Sequence, residues 1–312
     1  MYYPYFRGKQ YELITIRENA KLLSDSGFVP IIEPVKVRTN SLELAINKIE
    51  DADGECILII NPQCGDHCVN DKAIKGVLDR SFKGVSAGIL LNSSMTIDGI
   101  GALCKEHARR NVTLIHNGFD KGKSLAAILV DHSNVTRHVF TEDMCGKLYR
   151  KNFIGEHRIL LKDGFHKRTN KDHPDRELFS DLYATFDDEE NMNGFGDYLI
   201  VGDDYSESGG PAYAVAIHLT YIDNTEDGAM YIHHFKSDRM DTPTDPAGKF
   251  GEALAKLVAE VNKPNSMIMK SKAVKEFIAF HNNPHFPGLG YVKKLSMQHH
   301  IETLADYFSK KR

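Results

Sequence analysis

The sequence has no tryptophan, no long apolar run and almost no excess of either charge, and each absence excludes something. No apolar run approaches the roughly 18–20 residues of a membrane-spanning helix. The formal net charge is −4 with 26% charged residues, which excludes disorder caused by net charge and an overall basic nucleic-acid-binding surface. The first ten residues lack the apolar core of a secretory signal. We therefore expect a cytoplasmic protein that does not enter membranes.

Cysteine is scarce as well, and its number is odd. Five cysteines in a chain without a secretory signal predict reduced thiols rather than a disulfide framework. The one suggestive spacing is Cys64-Gly-Asp-His67-Cys68. A structural zinc site usually needs four ligands, commonly as two pairs, and no second pair is present. We therefore interpret this segment as an ordinary loop.

Several catalytic motifs are also absent. The first apolar run is not followed by the glycine fingerprint of a dinucleotide-binding fold, and the chain contains neither a P-loop nor a Gly-x-Ser-x-Gly elbow. Without tryptophan, sugar stacking is disfavoured, although glycoside hydrolysis by two carboxylates stays open as an alternative.

The chain does contain a regular series of short, β-branched apolar runs. Their starts lie 21 to 31 residues apart, which leaves room each time for one helix and two loops. Such runs indicate strands that are buried on both faces of a parallel sheet. The runs are Val29–Ile32, Cys56–Ile60, Ala87–Leu91, Val112–Ile115, Arg137–Phe140 and Arg158–Leu161.

Helical spacing between these runs completes repeated strand–helix units, which predict a parallel sheet. We expect these helices at Gly8–Leu23, Asn40–Ile49, Met95–Arg109 and Lys121–Val130. The later chain breaks the rhythm. There we expect a helix at Arg176–Phe186, a seventh strand at Tyr198–Val201, a hairpin of Tyr213–Tyr221 with Ala229–Phe235, and helices at Gly248–Val261, Ser271–Phe280 and Ser296–Lys310.

These elements predict an α/β fold, a (β/α)8 TIM-barrel-like domain over residues 1–312 with an irregular C-terminal quarter. That quarter holds the late hairpin and the extra C-terminal helices. A doubly wound open sheet is the alternative, which the missing glycine fingerprint disfavours. The aromatic start of the chain, Tyr2 to Phe6, is expected to pack under one end of the barrel.

In a barrel, polar residues that follow the strands converge at the carboxyl-terminal face. This placement predicts Glu33, His116 and Asp163 as catalytic residues, with Glu33 and His116 as the acid–base candidates and Asp163 as a candidate metal ligand. Two further groups are assigned to substrate binding. Asn61 and Asn92 would orient the substrate, and Arg7, Lys36 and Arg168 would bind its anionic part.

Histidines and aspartates of the later chain form a candidate metal site. We assign His218 and Asp203 to it, since imidazole and carboxylate are common ligands of divalent metals. His233 and His234 must point to opposite faces of one strand, so at most one of them can join His218. No established zinc motif supports this site, and the identity of any cofactor is left open.

The opening Tyr3-Pro4-Tyr5-Phe6-Arg7-Gly8-Lys9-Gln10-Tyr11-Glu12-Leu13, followed by Pro30-Ile-Ile-Glu33-Pro34, resembles the start of a little-characterised bacterial family. That family is related to the phage-type "beta protein" family. Later phrases such as Asp163-Gly164-Phe165 and His233-His234-Phe235 resemble it too. The resemblance implies a TIM-barrel-like, cytoplasmic bacterial protein, encoded beside a predicted nuclease in mobile-element or phage-defence gene clusters. It implies no catalytic residues.

Together these observations predict a hydrolase of the phosphodiester type that acts on a nucleotide or nucleic acid. Such an enzyme requires Glu33, His116 and Asp163 to face one pocket. The alternative is a non-catalytic interaction module that holds or regulates a partner nuclease.

Overall fold

The computed structural model describes residues 1–68, 72–188, 190–207 and 209–311, without the side chains of His67 and Cys68. These residues form two compact units. The barrel unit comprises Met1–Lys162 and Leu182–Asp197, and the helical unit comprises Asp163–Asp181 and Tyr198–Arg312. The single domain expected over residues 1–312 stays a prediction.

The barrel unit contains a sheet of eight parallel strands. Its ends meet because Tyr3 N–H donates to the Phe195 carbonyl at 2.8 Å and Tyr5 N–H donates to the Asp197 carbonyl at 2.9 Å. The predicted TIM-barrel-like fold is confirmed. In sheet order, the strands are β1 (Tyr5–Phe6), β2 (Ile31–Ile32), β3 (Cys56–Ile59), β4 (Val85–Leu91), β5 (Val112–His116), β6 (Val135–Thr141), β7 (Arg158–Leu161) and β9 (Gly194–Gly196).

Helices connect most of these strands, as the periodicity predicts. The first ends at Gly27, which takes a left-handed φ of 68° while its N–H caps the carbonyls of the last turn. The helices of the barrel unit are α1 (Gln10–Ser26), α2 (Asn40–Asp51), α3 (Lys72–Arg80), α4 (Ile97–Glu106), α5 (Gly122–Leu129), α6 (Lys147–Arg150) and α7 (Leu182–Thr185).

The last barrel strand differs from the prediction. Residues Tyr198–Val201 form a turn, in which Leu199 has a φ of 51°. The last strand is instead the segment Gly194–Gly196. Glycine is needed there because the start of the chain passes so close that a Cβ atom at Gly196 would lie 2.4 Å from the Tyr3 carbonyl oxygen. The aromatic start is buried, but it forms strand β1 of the barrel sheet instead of packing under one end of the barrel.

The helical unit is built around an antiparallel sheet with the strand order β10, β11, β8. The predicted hairpin is confirmed as β10 (Ala216–Ile222) and β11 (Met230–Lys236). The predicted helix at Arg176–Phe186 is wrong in its first half, since Arg176–Ser180 is strand β8 and pairs with β11, whereas α7 lies in its second half. Three long helices follow as expected: α8 (Pro246–Val261), α9 (Lys272–Asn282) and α10 (Leu289–Lys311).

Strand β10 divides the helical unit into an apolar side and a polar side. Ile217, Leu219 and Tyr221 alternate on one face and pack in a core with apolar residues of α8, α9 and α10. His218 lies on the other face. Across the described residues of both units, no helix has the length and hydropathy needed to span a membrane.

Candidate functional site

The helical unit contains a cavity of about 820 Å³. Its wall is formed by the segment from Phe165 to His173, the segment from Gly209 to Ala214, part of β10 and the start of α10. The volume lies within the range of roughly 300–1,000 Å³ that is usual for small-molecule sites.

Basic side chains dominate the charge of this cavity. Lys167, Arg168, Lys171 and Lys293 line it, and the described lining residues include no aspartate or glutamate. Outside the wall, Glu177 binds Nη1 of Arg168 through both carboxylate oxygens, at 2.7 and 2.8 Å. A concave surface of one charge raises the local concentration of ligands of the opposite charge. The cavity is therefore suited to an anion.

Three histidines meet at one side of the cavity. His218 and His234 are paired across the β10–β11 hairpin, with their Nδ1 atoms 2.6 Å apart. His173, which precedes β8, stacks on His234 with a ring-centroid distance of 4.3 Å. One nitrogen from each ring lies within 4.8 Å of the other two. His173 and His218 line the cavity.

Glu177 on β8 holds two of these rings from behind. Its Oε1 lies 3.0 Å from Nε2 of His234 and 3.5 Å from Nδ1 of His173. The pKa of Glu177 is lowered: burial raises it, but the hydrogen bond and charge of Arg168 and the neighbouring histidines outweigh burial. An ionised carboxylate in this position fixes the N–H of each ring on its own side.

Burial favours the neutral form of all three rings. Burial lowers the pKa of His218 well below 6.5, with smaller contributions from His234, His173 and Lys293. Burial also lowers the pKa of His234 to about 4 and lowers the pKa of His173, although Glu177 opposes both shifts. Neutral imidazole keeps one lone pair, which accepts either a proton or a metal ion.

The barrel residues predicted as catalytic do not form such a cluster. Which of them face the lumen of the barrel follows from the ion pair of Arg137 with Glu55. Arg137 on β6 forms an ion pair of 2.6 Å with Glu55, the residue before β3, although β4 and β5 lie between these strands in the sheet. Their side chains therefore meet across the lumen. Thr113 is the register partner of Arg137 and points the same way.

Glu33 faces the lumen and His116 faces the opposite side of the sheet. Glu33 lies two residues after Ile31, whose register partner in β3 is Ile57, two residues after Glu55. His116 lies three residues after Thr113 and therefore points outward. The structure does not bring Glu33 and His116 together, so they cannot act as one acid–base pair.

Each of these two residues has a full set of partners. Glu33 accepts hydrogen bonds from Tyr5 Oη at 2.8 Å, Arg7 Nη1 at 2.6 Å and the N–H of Gln63 at 2.9 Å. His116 is bonded to Tyr149 Oη at 2.7 Å and to His138 at 3.0 Å, and it stacks on Phe140. Arg7 thus binds a buried carboxylate, as part of the barrel interior.

The other predicted residues lie at separate places. Asn61 exchanges two hydrogen bonds with the backbone of Leu90, and Asn92 accepts bonds from Ser94 within a turn. Lys36 lines a separate groove beside α1 and α2.

In the helical unit, Asp163 accepts hydrogen bonds from the N–H groups of Phe165 and Asp203. Asp203 is not part of the histidine cluster. Of the predicted site residues, the structure brings Arg168 and His218 to one cavity. The catalytic, substrate-binding and metal-binding roles predicted for the individual residues stay predictions.

Sequence reasoning missed His173 and Glu177. His173 lies in a loop, where no sequence pattern marks it, and Glu177 falls within the helix predicted at Arg176–Phe186. The signal available in the sequence is the alternation of apolar residues along Tyr213–Tyr221, which puts His218 on the opposite, more polar face, together with the rule that only one of His233 and His234 can join it. His234 is that residue, while His233 stacks on Phe235.

Comparison with known proteins does not show a family for this chain. No protein-family model matches the chain, and no curated protein matches it. One solved structure, described as a "putative dihydrodipicolinate synthase family protein from Coccidioides immitis", is similar with 11% identity and a TM-score of 0.41. The match covers 63% of this chain and 65% of that one. The resemblance to the phage-type "beta protein" family stays a prediction.

Proposed function

We propose that the cavity of the helical unit binds a phosphate-bearing small molecule, such as a nucleotide, and that the chain hydrolyses its phosphate ester. This reaction would use residues of the cavity in place of the predicted set of Glu33, His116 and Asp163, because Glu33 and His116 lie on opposite faces of the barrel sheet. The observation that carries this proposal is the charge of the cavity wall, which presents Lys167, Arg168, Lys171 and Lys293 and no acidic side chain among its described residues. Lysine and arginine are the usual partners of phosphate.

The size of the cavity favours a small molecule over a polymer. About 820 Å³ accommodates a mononucleotide, and the chain, with a net charge of −4, is not basic overall as duplex-binding domains commonly are. Phosphate esters of nucleotide size are therefore the proposed substrate class.

The histidines on the same wall supply lone pairs that can take part in the reaction. In hydrolysis, water attacks phosphorus, the ester P–O bond breaks, and the proton of the water reaches the leaving oxygen. A neutral imidazole has a lone pair for that proton or for a metal ion that acidifies the water. His218 and His173 are placed for this role because both line the cavity.

Calorimetric titration with inorganic phosphate tests the binding half of the proposal. We expect saturable binding that weakens with added salt. The double variant Lys171→Ala, Lys293→Ala should weaken it at least about tenfold, since each charged hydrogen bond contributes roughly 1.5–3 kcal/mol. The matched control is Lys270→Ala, an exposed lysine of the same unit that does not line the cavity. Equal affinities in both variants would contradict the proposed site.

Turnover of bis(4-nitrophenyl) phosphate tests the reaction. We expect hydrolysis that is lost in His218→Ala and retained in His233→Ala. Phosphate binding without hydrolysis would refute the reaction and favour the alternative, a non-catalytic module that holds or regulates a partner nuclease.

A further inference from the structure

We infer that His173, His218 and His234 form a binding site for one divalent transition-metal ion of the zinc type. This site replaces the predicted pairing of His218 with Asp203. It does not rest on the proposed phosphate binding, because it concerns other residues and is measured without phosphate.

The hydrogen bonds of Glu177 determine which nitrogens are available to the metal. Nε2 of His234 and Nδ1 of His173 face this carboxylate and carry the ring protons there. The remaining nitrogen of each ring, Nδ1 of His234 and Nε2 of His173, therefore keeps its lone pair. A carboxylate behind a metal-binding histidine is a recurrent arrangement in zinc sites.

The contact between His218 and His234 supplies the third ligand. Their Nδ1 atoms are 2.6 Å apart, and since Nδ1 of His234 has no proton, His218 is the donor. A metal ion takes the place of this shared proton, which moves to Nε2 of His218. Two nitrogens bound to a tetrahedral zinc at about 2.0–2.1 Å lie about 3.3 Å apart, so loading requires the rings to separate by less than about 1 Å.

The donor set determines the class of ion. Three imidazole nitrogens suit zinc, copper, nickel or cobalt, whereas magnesium and calcium require oxygen ligands. Three protein ligands leave a fourth position for water or substrate. Because His173 and His218 line the cavity, this open position faces it.

The test is a zinc titration of the full chain after treatment with a chelator, followed by calorimetry and elemental analysis. We expect one high-affinity zinc ion per chain that an excess of Mg²⁺ does not displace. His218→Ala should weaken zinc binding at least about 100-fold. The control is His233→Ala, since His233 is next to His234 on β11 but points to the other face of the sheet, and it should leave zinc binding unchanged. Circular dichroism establishes that each variant is folded.

Two further measurements keep the inference falsifiable if His218→Ala does not fold. His173→Ala changes a residue outside the strands and should show the same loss, and Glu177→Gln should weaken zinc binding about 10–100-fold while all three ligands are present. Cobalt should give the visible absorption of a tetrahedral complex. No zinc binding, or equal binding in folded His173→Ala and His233→Ala, would overturn the inference. Phosphate affinity should be the same with and without zinc. The failure of one proposal then leaves the other intact.

Discussion

Acidification should destabilise the barrel unit through the buried pair His116 and His138. Burial, and next the charge of Arg158, lowers the pKa of His138 to about 4. Burial, and next His138 itself, lowers the pKa of His116 well below 6.5. In the unfolded chain both residues return to about 6.5. Below that pH the unfolded chain takes up protons that the folded barrel does not. The contribution of the two neutral rings to the free energy of unfolding is therefore fully present above pH 6.5 and is lost as the pH falls towards 4.

The magnitude for His138 follows from its pKa. At pH 4.5 the solution is about two pH units below the unfolded value, and each unit corresponds to about 1.4 kcal/mol. His138 alone should therefore cost about 3 kcal/mol of unfolding free energy between pH 7 and pH 4.5. Its side chain is almost completely buried, so solvent screening does not reduce this figure.

The assay is urea unfolding at a series of pH values, with pulsed deuterium labelling of peptides from β5 and β6. His138→Gln removes the titrating ring, so its unfolding free energy should fall by about 3 kcal/mol less over this range than that of the parent chain. His281→Gln, at an exposed histidine of α9, is the control and should keep the parent slope. Equal slopes in the parent and His138→Gln would refute the reasoning.

Two substitutions, with Gly146→Ala as the control for the first, test the packing of the barrel unit in urea unfolding at pH 7. Gly65→Ala should lower the free energy of unfolding by about 3 kcal/mol or more, because Gly65 has a φ of 75° and the new Cβ atom would lie 2.2 Å from the Val35 carbonyl oxygen. In the control Gly146→Ala, the new Cβ atom meets nothing within 4 Å, and the free energy of unfolding should change by less than about 0.5 kcal/mol. Arg150→Ala should cost about 2 kcal/mol because Arg150 Nε donates to Glu190 at 2.9 Å. That loss should shrink in acid as Glu190, whose pKa Arg150 lowers, becomes protonated; a constant loss would contradict this account.

The sequence was most informative where several apolar residues follow one another. Strands β3, β4, β5 and β7 are buried at every residue, β6 is buried from His138 onward, and the sequence predicts all five. Strand β1 was missed because Tyr5 and Phe6 belong to no β-branched apolar run, whereas the equally short β2 does, and β9 was missed because glycines flank its single Phe195. Tyr198–Val201 has a better strand composition than either, yet it forms a turn. Pairing with a distant segment, rather than local composition, determines these strands.

The candidate site was predictable only in part for a similar reason. Arg168 and His218 were identified from basic charge and from alternation along a strand. His173 stands in a loop, and nothing near it in sequence indicates that its partners lie 45 and 61 residues further on. Glu177 was hidden by a wrong helix prediction. A cluster assembled from a loop and three strands has no local spacing that a motif could express.

The order of segments along the chain limits how the protein can be divided. The barrel unit is interrupted between Lys162 and Leu182, where the chain contributes strand β8 to the helical unit and then returns for β9. A fragment that ends at Lys162 therefore lacks β9 and leaves the edges of β1 and β7 unpaired. Exposed strand edges of this kind promote aggregation. Neither unit can be produced as one continuous piece of its own sequence, and deletion experiments must remove both segments of a unit together.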